Sequence, residues 1–167
     1  MSSNSLEKTL VMKKIFLLLL IPFFTISQTE FTEVVETDSM KKSVLFSNGL
    51  TWITKTFKNA NEVIQMKDAE SGKIIAKGIL NSAPTMMGVR GDGSCWVTIT
   101  ISCKDGKYKY EFTNVYFKYR AGGSYEYDGT PKGGEKKSFN RWREDVTIEI
   151  KSMITDLKKA MLKNDEF

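Results

Sequence analysis

Two parts of the chain have the chemistry of a binding surface: one presents a tryptophan among threonines, and the other interleaves tyrosines with basic residues. Trp96 lies in a run in which apolar and polar residues alternate. A group of tyrosines and lysines follows that run in the sequence. This group consists of Tyr119, Tyr125, Tyr127, Lys132 and Lys137. Aromatic rings offer large apolar faces and lysines attract anionic groups, so both stretches are candidate sites for a glycan, a peptide or a polyanion. The alternative is that the tyrosines cap the open edge of the core beside Trp142.

Residues with catalytic chemistry are sparse. The chain contains no histidine, so it lacks the commonest general base and the commonest metal ligand. Its carboxylates have no spacing that pairs an acid with a base; Glu144 and Asp145, adjacent on a predicted helix, diverge by about 100°. We therefore expect no metal, no cofactor and no enzymatic activity. The alternative is a His-free hydrolase or transferase that uses lysine and carboxylate side chains.

The two cysteines have a spacing that opposes a disulfide between them. Cys95 and Cys103 are eight residues apart, and one continuous strand places them about 26 Å apart. A disulfide needs Cα atoms within about 7 Å. We expect two buried thiols that act as small apolar side chains. A bulge between them and an intermolecular disulfide are the alternatives.

The N-terminus has the pattern of a secretory signal peptide. Lys13 and Lys14 precede an apolar run over residues 15–26, and the small residues Thr25 and Ser27 occupy the −3 and −1 positions of a cleavage site. We expect residues 1–27 to be removed by cleavage after Ser27, with Met12 as an alternative start. The apolar run is shorter than the roughly 20 residues that cross a membrane as a helix, which disfavours an uncleaved anchor.

Residues 28–167 are then predicted to form a single exported domain, periplasmic or secreted, that does not insert into the membrane. No cysteine lies near the cleavage site, so a lipid anchor is not expected. The net charge of +5 falls to +3 once residues 1–27 are removed. Such a mild basic balance does not predict a nucleic-acid partner.

A β-hairpin over residues 95–119 is the strongest structural pattern, because two alternating runs flank an Asp-Gly turn at Asp105. The apolar face of the first run consists of Cys95, Val97, Ile99, Ile101 and Cys103. Trp96 and a ladder of threonines occupy its other face. The apolar parity of the second run shifts after Phe112, which predicts a β-bulge near Thr113 and Asn114.

The other elements follow from shorter patterns. The first strand is predicted within residues 30–37, before a helix with its N-cap at Asp38 or Ser39. The remaining predictions are helix 40–57, strands 62–67 and 73–80, a polar loop over 81–93, a Gly/Tyr/Lys-rich loop over 120–138, and a helix that ends near Met161. This order predicts an α+β fold: a five-stranded, mostly antiparallel sheet with both helices on one face and a polar opposite face.

Several segments, taken in order, resemble one bacterial family. They are Ser27-Gln28, residues 31–35, the helix end at 52–57, residues 63–65 with 72–78, and the hairpin at 98–108. The family is a domain of unknown function with a TBP-like fold (DUF4468), found in exported proteins of Bacteroidetes. The resemblance covers residues 31–117 and, more loosely, the C-terminal helix. It implies a β-α-β4-α domain and no catalytic or binding residues.

The leading functional hypothesis is a non-enzymatic interaction module of the bacterial cell envelope. Its partner is predicted to be an envelope protein or a glycan, bound through the Trp96 face of the sheet or through the Tyr/Lys segment. Nucleic acid is not an expected partner, because a fold hosts many functions and an exported protein does not meet chromosomal DNA.

Overall fold

The hairpin that the sequence predicts forms the centre of the fold. In the computed structural model, β6 (Gly93–Lys104) and β7 (Lys107–Tyr119) pair in antiparallel register from Lys104↔Lys107 outward. Gly106 has a φ of 74°, the left-handed conformation that glycine adopts without steric cost. Every second residue of β6 from Cys95 to Cys103 is buried, as the period of two requires.

The structure describes residues 31–86, 89–119, 123–127, 129 and 135–163. The other elements are β1 (Thr32–Glu36), α1 (Lys42–Thr56), α2 (Ala60–Val63), β2 (Ile64–Asp68), β3 (Lys73–Leu80), β4 (Thr85–Met86), β5 (Val89–Arg90), β8 (Ser124–Glu126) and α3 (Glu135–Met161). The main sheet is antiparallel with the order β1-β7-β6-β3-β2, and β8 also pairs with β7. No helix within these ranges is long and apolar enough to span a membrane.

A β-bulge in β7 confirms the predicted parity shift. The register moves from Trp96↔Tyr116 to Thr98↔Thr113, so β7 has one more residue than β6 in this interval. Asn114 lies in the bulge with a φ of 50°, a conformation that asparagine tolerates better than most residues. The bulge returns Val115 and Phe117 to the buried face.

Both long helices, α1 and α3, pack on one face of the sheet, as predicted. Leu45 and Ile53 of α1 are fully buried, and Trp52 packs edge-to-face on Phe112 with ring centroids 6.4 Å apart. Gly49 lets α1 approach the sheet closely, because a Cβ there would lie 3.3 Å from Ile74 Cδ1. The sheet and the two helices therefore enclose the hydrophobic core, and no described helix covers the opposite face of the sheet.

The predicted N-cap of α1 is wrong. Lys41 precedes the helix and makes no side-chain capping bond. The carboxylate of Asp105, in the hairpin turn, instead accepts a hydrogen bond from the Lys42 N–H at 2.7 Å. The Gly106 N–H also donates to the Met40 carbonyl at 2.9 Å. The cap comes from a residue distant in sequence, because the turn docks against the start of the helix.

Three other boundaries differ from the predictions. The strand predicted over residues 62–67 begins later, because residues 60–63 form the short helix α2. The loop predicted over 81–93 contains the two-residue strands β4 and β5, which pair with each other. The loop predicted over 120–138 contains β8, and its last residues belong to α3, which begins at Glu135. The predicted signal peptide, its cleavage after Ser27 and the alternative start at Met12 lie outside the described residues.

Candidate functional site

The outer face of the sheet, opposite the helices, carries a row of apolar side chains across three strands. Ile79 of β3 pairs with Trp96 of β6, which pairs with Tyr116 of β7. Directly paired residues project to the same side of a sheet, so these three side chains are neighbours. Ile79 is 48% exposed, and the two aromatic residues are half-buried.

The two aromatic rings of this row form a parallel pair with a lysine over both. The planes of Trp96 and Tyr116 differ by 6°, and their centroids are 6.2 Å apart. Lys77 Nζ lies 5.6 Å from each centroid, a cation–π contact worth about 0.5–1 kcal/mol at an exposed site. Within the ranges that the structure describes, Lys77 forms no ion pair. We call Lys77, Ile79, Trp96 and Tyr116 the aromatic patch.

A groove of about 690 Å³ adjoins the aromatic patch at the β3 edge of the sheet. Trp96 lies on its rim, Phe57 at the end of α1 forms one wall, and Met153 of α3 contributes to another. Gly78 leaves room for the Phe57 ring, because a Cβ at that position would lie 2.3 Å from Phe57 Cε1. The groove therefore has apolar side chains in its walls beside the C-terminal half of β3.

The backbone of β3 is a free sheet edge in this groove. β2 pairs with β3 only as far as Ala76, so among the described strands residues 77–80 pair with β6 alone. The Cys103 N–H donates to the Gly72 carbonyl at 2.8 Å, which sets the phase of the β3–β6 ladder. Because hydrogen-bonded positions alternate along an antiparallel strand, Ile79 directs its N–H and C=O away from β6 and towards the groove.

Glu149 of α3 supports the chain where it leaves β3. One carboxylate oxygen accepts the Asn81 N–H at 2.7 Å and the Asn81 side-chain amide at 3.2 Å. The other accepts the Ser82 N–H at 2.8 Å and the Ser82 hydroxyl. The Trp142 indole donates to the Ser82 carbonyl at 3.1 Å. This carboxylate lines the groove, but its oxygens are already engaged in holding the backbone.

The groups whose pKa values are shifted from their ordinary values lie mainly in the core and at its edge. Burial raises the pKa of Cys95 to about 12, with a further contribution from the charge of Glu149, and burial raises the pKa of Cys103 to about 11. Both thiols are free and inaccessible, so neither is a nucleophile in the folded protein. In the described part of the chain, no three His, Cys, Asp or Glu side chains are placed to hold a metal ion.

Comparison with known families identifies the domain. The model of the "domain of unknown function (DUF4468) with TBP-like fold" matches residues 31–118, more than half of the chain. The chain belongs to the DUF4468 family. A comparison with curated proteins found no match.

Two solved structures share the fold of this DUF4468 domain. One is a DUF4468 family protein from Bacteroides ovatus, with a TM-score of 0.65 and 17% identity over 82% of this chain and 88% of that one. The other is a TBP-like protein from Parabacteroides distasonis, with a TM-score of 0.64 and 12% identity over 81% of this chain and 93% of that one. At these identities the likeness establishes the TBP-like α+β fold alone.

In the DUF4468 domain, the tyrosines predicted as site residues lie on the core side of the sheet. Tyr119 packs edge-to-face on Trp142 at 5.2 Å and on Tyr125 at 6.1 Å. Tyr127 packs against Phe31 at 5.5 Å, and its hydroxyl lies 2.7 Å from Thr147 Oγ1. All three are half-buried, and the sheet separates them from Trp96.

The structure does not bring the other predicted site residues to Trp96 either. Lys137 is exposed on the first turn of α3, and Lys132 lies outside the described residues. The sequence prediction did not place Lys77, Ile79 or Tyr116 beside Trp96. The parity shift at Asn114 is the signal that moves Tyr116 to the Trp96 face. Lys77 and Ile79 become identifiable only from the β3–β6 register.

Proposed function

We propose that this DUF4468 domain is a non-enzymatic binding module of the bacterial cell envelope, and that an envelope protein or glycan binds at the aromatic patch. The observation that carries the proposal is the parallel Trp96–Tyr116 pair with Lys77 over both rings, on the sheet face opposite the core. Large aromatic side chains at a half-exposed surface supply binding energy at low entropic cost. The surrounding outer-face residues Thr98, Thr100 and Thr113 are small and polar.

The chemistry of the described residues favours binding over turnover. The thiols of Cys95 and Cys103 are buried with raised pKa values. The carboxylate in the groove, Glu149, is engaged by backbone and side-chain donors. A His-free hydrolase or transferase needs a nucleophile or base with free access to substrate. The aromatic patch supplies contact area and positive charge, which are the attributes of a docking surface.

Export is part of the proposal. It rests on the signal-peptide pattern of residues 1–27, with Lys13 and Lys14 before the apolar run and Ser27 at the cleavage site. An intact mass that begins at Gln28, measured on protein recovered from the envelope fraction of producing cells, supports this part.

The experiment is affinity capture from envelope extract with the immobilised mature domain. We expect the double variant Trp96→Ser/Tyr116→Ser to lose bound partner by at least about tenfold, because aromatic anchors dominate interfaces. Val34→Ser is the matched control, since Val34 is 53% exposed on the same face but on the distant strand β1. A second arm, Lys137→Ala, tests the Tyr/Lys segment.

Equal capture by the wild type and the double variant would overturn the assignment of the patch. Capture lost with Lys137→Ala and retained with the double variant would move the site to the Tyr/Lys segment. Turnover in a hydrolase screen that one surface lysine or glutamate substitution abolishes would replace the binding role with an enzymatic one.

A further inference from the structure

The aromatic patch and the groove share one boundary, the free edge of β3. Lys77 and Ile79 belong to the patch by their side chains, and residues 77–80 form the groove wall by their backbone. An exposed strand edge is a template on which another extended segment adds by main-chain hydrogen bonds. A partner at this place therefore meets an aromatic surface and a strand edge together.

We propose that an extended segment of a partner protein adds as a strand to the β3 edge at residues 77–80, and that this segment carries an acidic side chain beside Lys77 and an apolar side chain that enters the groove. The proposal rests on the binding role of the aromatic patch and narrows its partner from protein or glycan to a peptide. The main chain of Ile79 supplies one donor and one acceptor towards the incoming strand.

The groove selects the apolar side chain. Successive side chains of a strand point to opposite faces, so an added segment alternates between the patch on the outer face and the groove walls towards the helices. The groove walls include Phe57, Val63 and Met153, all of them apolar. An aliphatic side chain in that direction replaces water next to carbon atoms, which is favourable.

The charges at the edge select the acidic side chain. Lys58 and Lys77 line the groove, and neither forms an ion pair with another described residue. Of the two groove carboxylates, Glu149 is engaged by four donors, and Glu62 accepts from the Asn59 side chain at 3.4 Å. Both carboxylates are thus held within the domain, whereas the Lys77 ammonium has no carboxylate partner among the described residues, and an acidic side chain of the incoming segment supplies one.

The same charges disfavour a second copy of this domain as the occupant. Lys77 lies on this edge with its side chain on the outer face of the sheet. Like charges across a strand pair are destabilising, and a lysine on an edge strand is a common protection against self-pairing. The edge therefore favours an acidic partner over its own copy.

The test uses Ile79→Pro and its matched control Ile79→Thr in the full mature domain. Proline removes the N–H that faces the groove and leaves the β6 ladder intact, because edge strands tolerate proline where the N–H points away from the sheet. Threonine keeps the N–H and a β-branched side chain. Circular dichroism and thermal unfolding compare the folding of both variants with the wild type.

The probe is a phage-displayed library of random peptides of about ten residues, a length that covers a bound strand. We expect wild type to select peptides in which apolar residues alternate with Asp or Glu. A selected synthetic peptide is expected to bind Ile79→Pro at least about tenfold more weakly than it binds Ile79→Thr, because both variants lack the isoleucine side chain and differ in the main-chain bond. Peptide binding is also expected to slow amide hydrogen exchange at Ile79 in the wild type.

Three results would overturn strand addition: no enriched peptide, equal peptide binding by Ile79→Pro and Ile79→Thr, or unchanged amide hydrogen exchange at Ile79 in the peptide complex. The exchange measurement needs no variant, so it decides the matter even where Ile79→Pro fails to fold. Envelope capture separates the two proposals. Loss of capture with Trp96→Ser/Tyr116→Ser but full capture with Ile79→Pro leaves the patch standing and removes strand addition, and full capture with both removes both.

Discussion

At the scale of single residues, neighbours on one strand meet opposite environments. Cys95 has no exposed surface, and the next residue, Trp96, lies half-buried on the outer face. Burial makes the thiol a packing group with a raised pKa, while the indole is available to a partner. The alternation of β6 therefore separates residues that stabilise the fold from residues that can bind.

Two tyrosines on the inner face of β7 show how strongly the hydrogen bonding of a buried hydroxyl decides its contribution to the free energy of unfolding. Tyr110 is 3% exposed, and its hydroxyl donates to Glu33 Oε2 at 2.6 Å. Tyr108 is 1% exposed, and its hydroxyl has no hydrogen-bond partner among the described residues. A buried polar group without a partner costs free energy, whereas a satisfied one contributes a modest gain.

We therefore expect opposite effects from the same substitution at these two positions. Tyr108→Phe should raise the free energy of unfolding by about 1 kcal/mol, because it removes an unsatisfied hydroxyl, and Tyr110→Phe should lower it by about 1 kcal/mol. Urea denaturation followed by circular dichroism measures both. A loss of stability in Tyr108→Phe as large as that in Tyr110→Phe contradicts this account.

At the scale of elements, the hairpin turn organises more than its own two strands. Asp105 caps the start of α1, and the Gly106 N–H and C=O bind Met40 and Thr37. The segment between β1 and α1 is therefore held by the turn of β6 and β7. A helix start without a local cap needs such a partner for its free N–H groups.

Asp105→Ala should lower the free energy of unfolding by about 1 kcal/mol, the usual effect of losing an N-terminal cap. Asp38→Ala is the matched control, because Asp38 is exposed and is the cap that the local sequence pattern predicts. We expect that control to lie within about 0.5 kcal/mol of the wild type. Thermal and urea denaturation of the two variants decide between the cap that the structure shows and the cap that the sequence favours. A lower stability of Asp38→Ala than of Asp105→Ala refutes the cap by Asp105.

This cap illustrates which features a sequence can predict. The β6–β7 hairpin and the bulge at Asn114 both follow from patterns within a few residues. The capping of α1 by Asp105 depends on how distant segments dock. The observed start of β2 differs from the predicted one because the short segment 62–67 mixes apolar and polar residues in a pattern that fits a strand or a short helix equally.

At the scale of the whole molecule, the sheet divides structural from candidate functional residues. The helices cover the inner face, and the tyrosines at 119, 125 and 127 complete the core at its open end. The outer face keeps the aromatic patch, where β2 ends early and exposes β3. Trp96 was predictable from strand alternation, but Lys77 and Ile79 were not, because the β3–β6 register is set by tertiary packing.

An ion pair joins edge strand β1 to helix α3. Glu33 Oε2 accepts hydrogen bonds from Lys158 Nζ and from the Tyr110 hydroxyl, each at 2.6 Å. The bond from Lys158 is the larger cause of a pKa of Glu33 that lies below its ordinary value, and the bond from Tyr110 adds to it. Both hydrogen bonds favour the charged carboxylate, so a proton that binds to Glu33 in the folded state weakens them.

The sign of the resulting pH dependence follows from linkage. Because folding lowers the pKa of Glu33, the unfolded chain binds its proton first as the pH falls. The stabilisation is complete above the unfolded-state pKa of about 4.3 and disappears as the pH falls through the lower folded-state value. The Glu33 side chain is 46% exposed, so solvent screening limits the contribution to about 0.5 kcal/mol or less.

We expect the free energy of unfolding of the wild type to exceed that of Glu33→Gln at pH 6 and the difference to shrink at pH 3. Lys158→Met is the control for the partner, and it should reproduce part of the pH 6 loss because it removes the larger cause of the pKa shift. Urea denaturation of the three proteins at both pH values measures these differences. A difference between wild type and Glu33→Gln that is the same at pH 6 and pH 3 shows that the carboxylate charge contributes nothing to stability, and that β1 is held in place by its pairing with β7 and by packing alone.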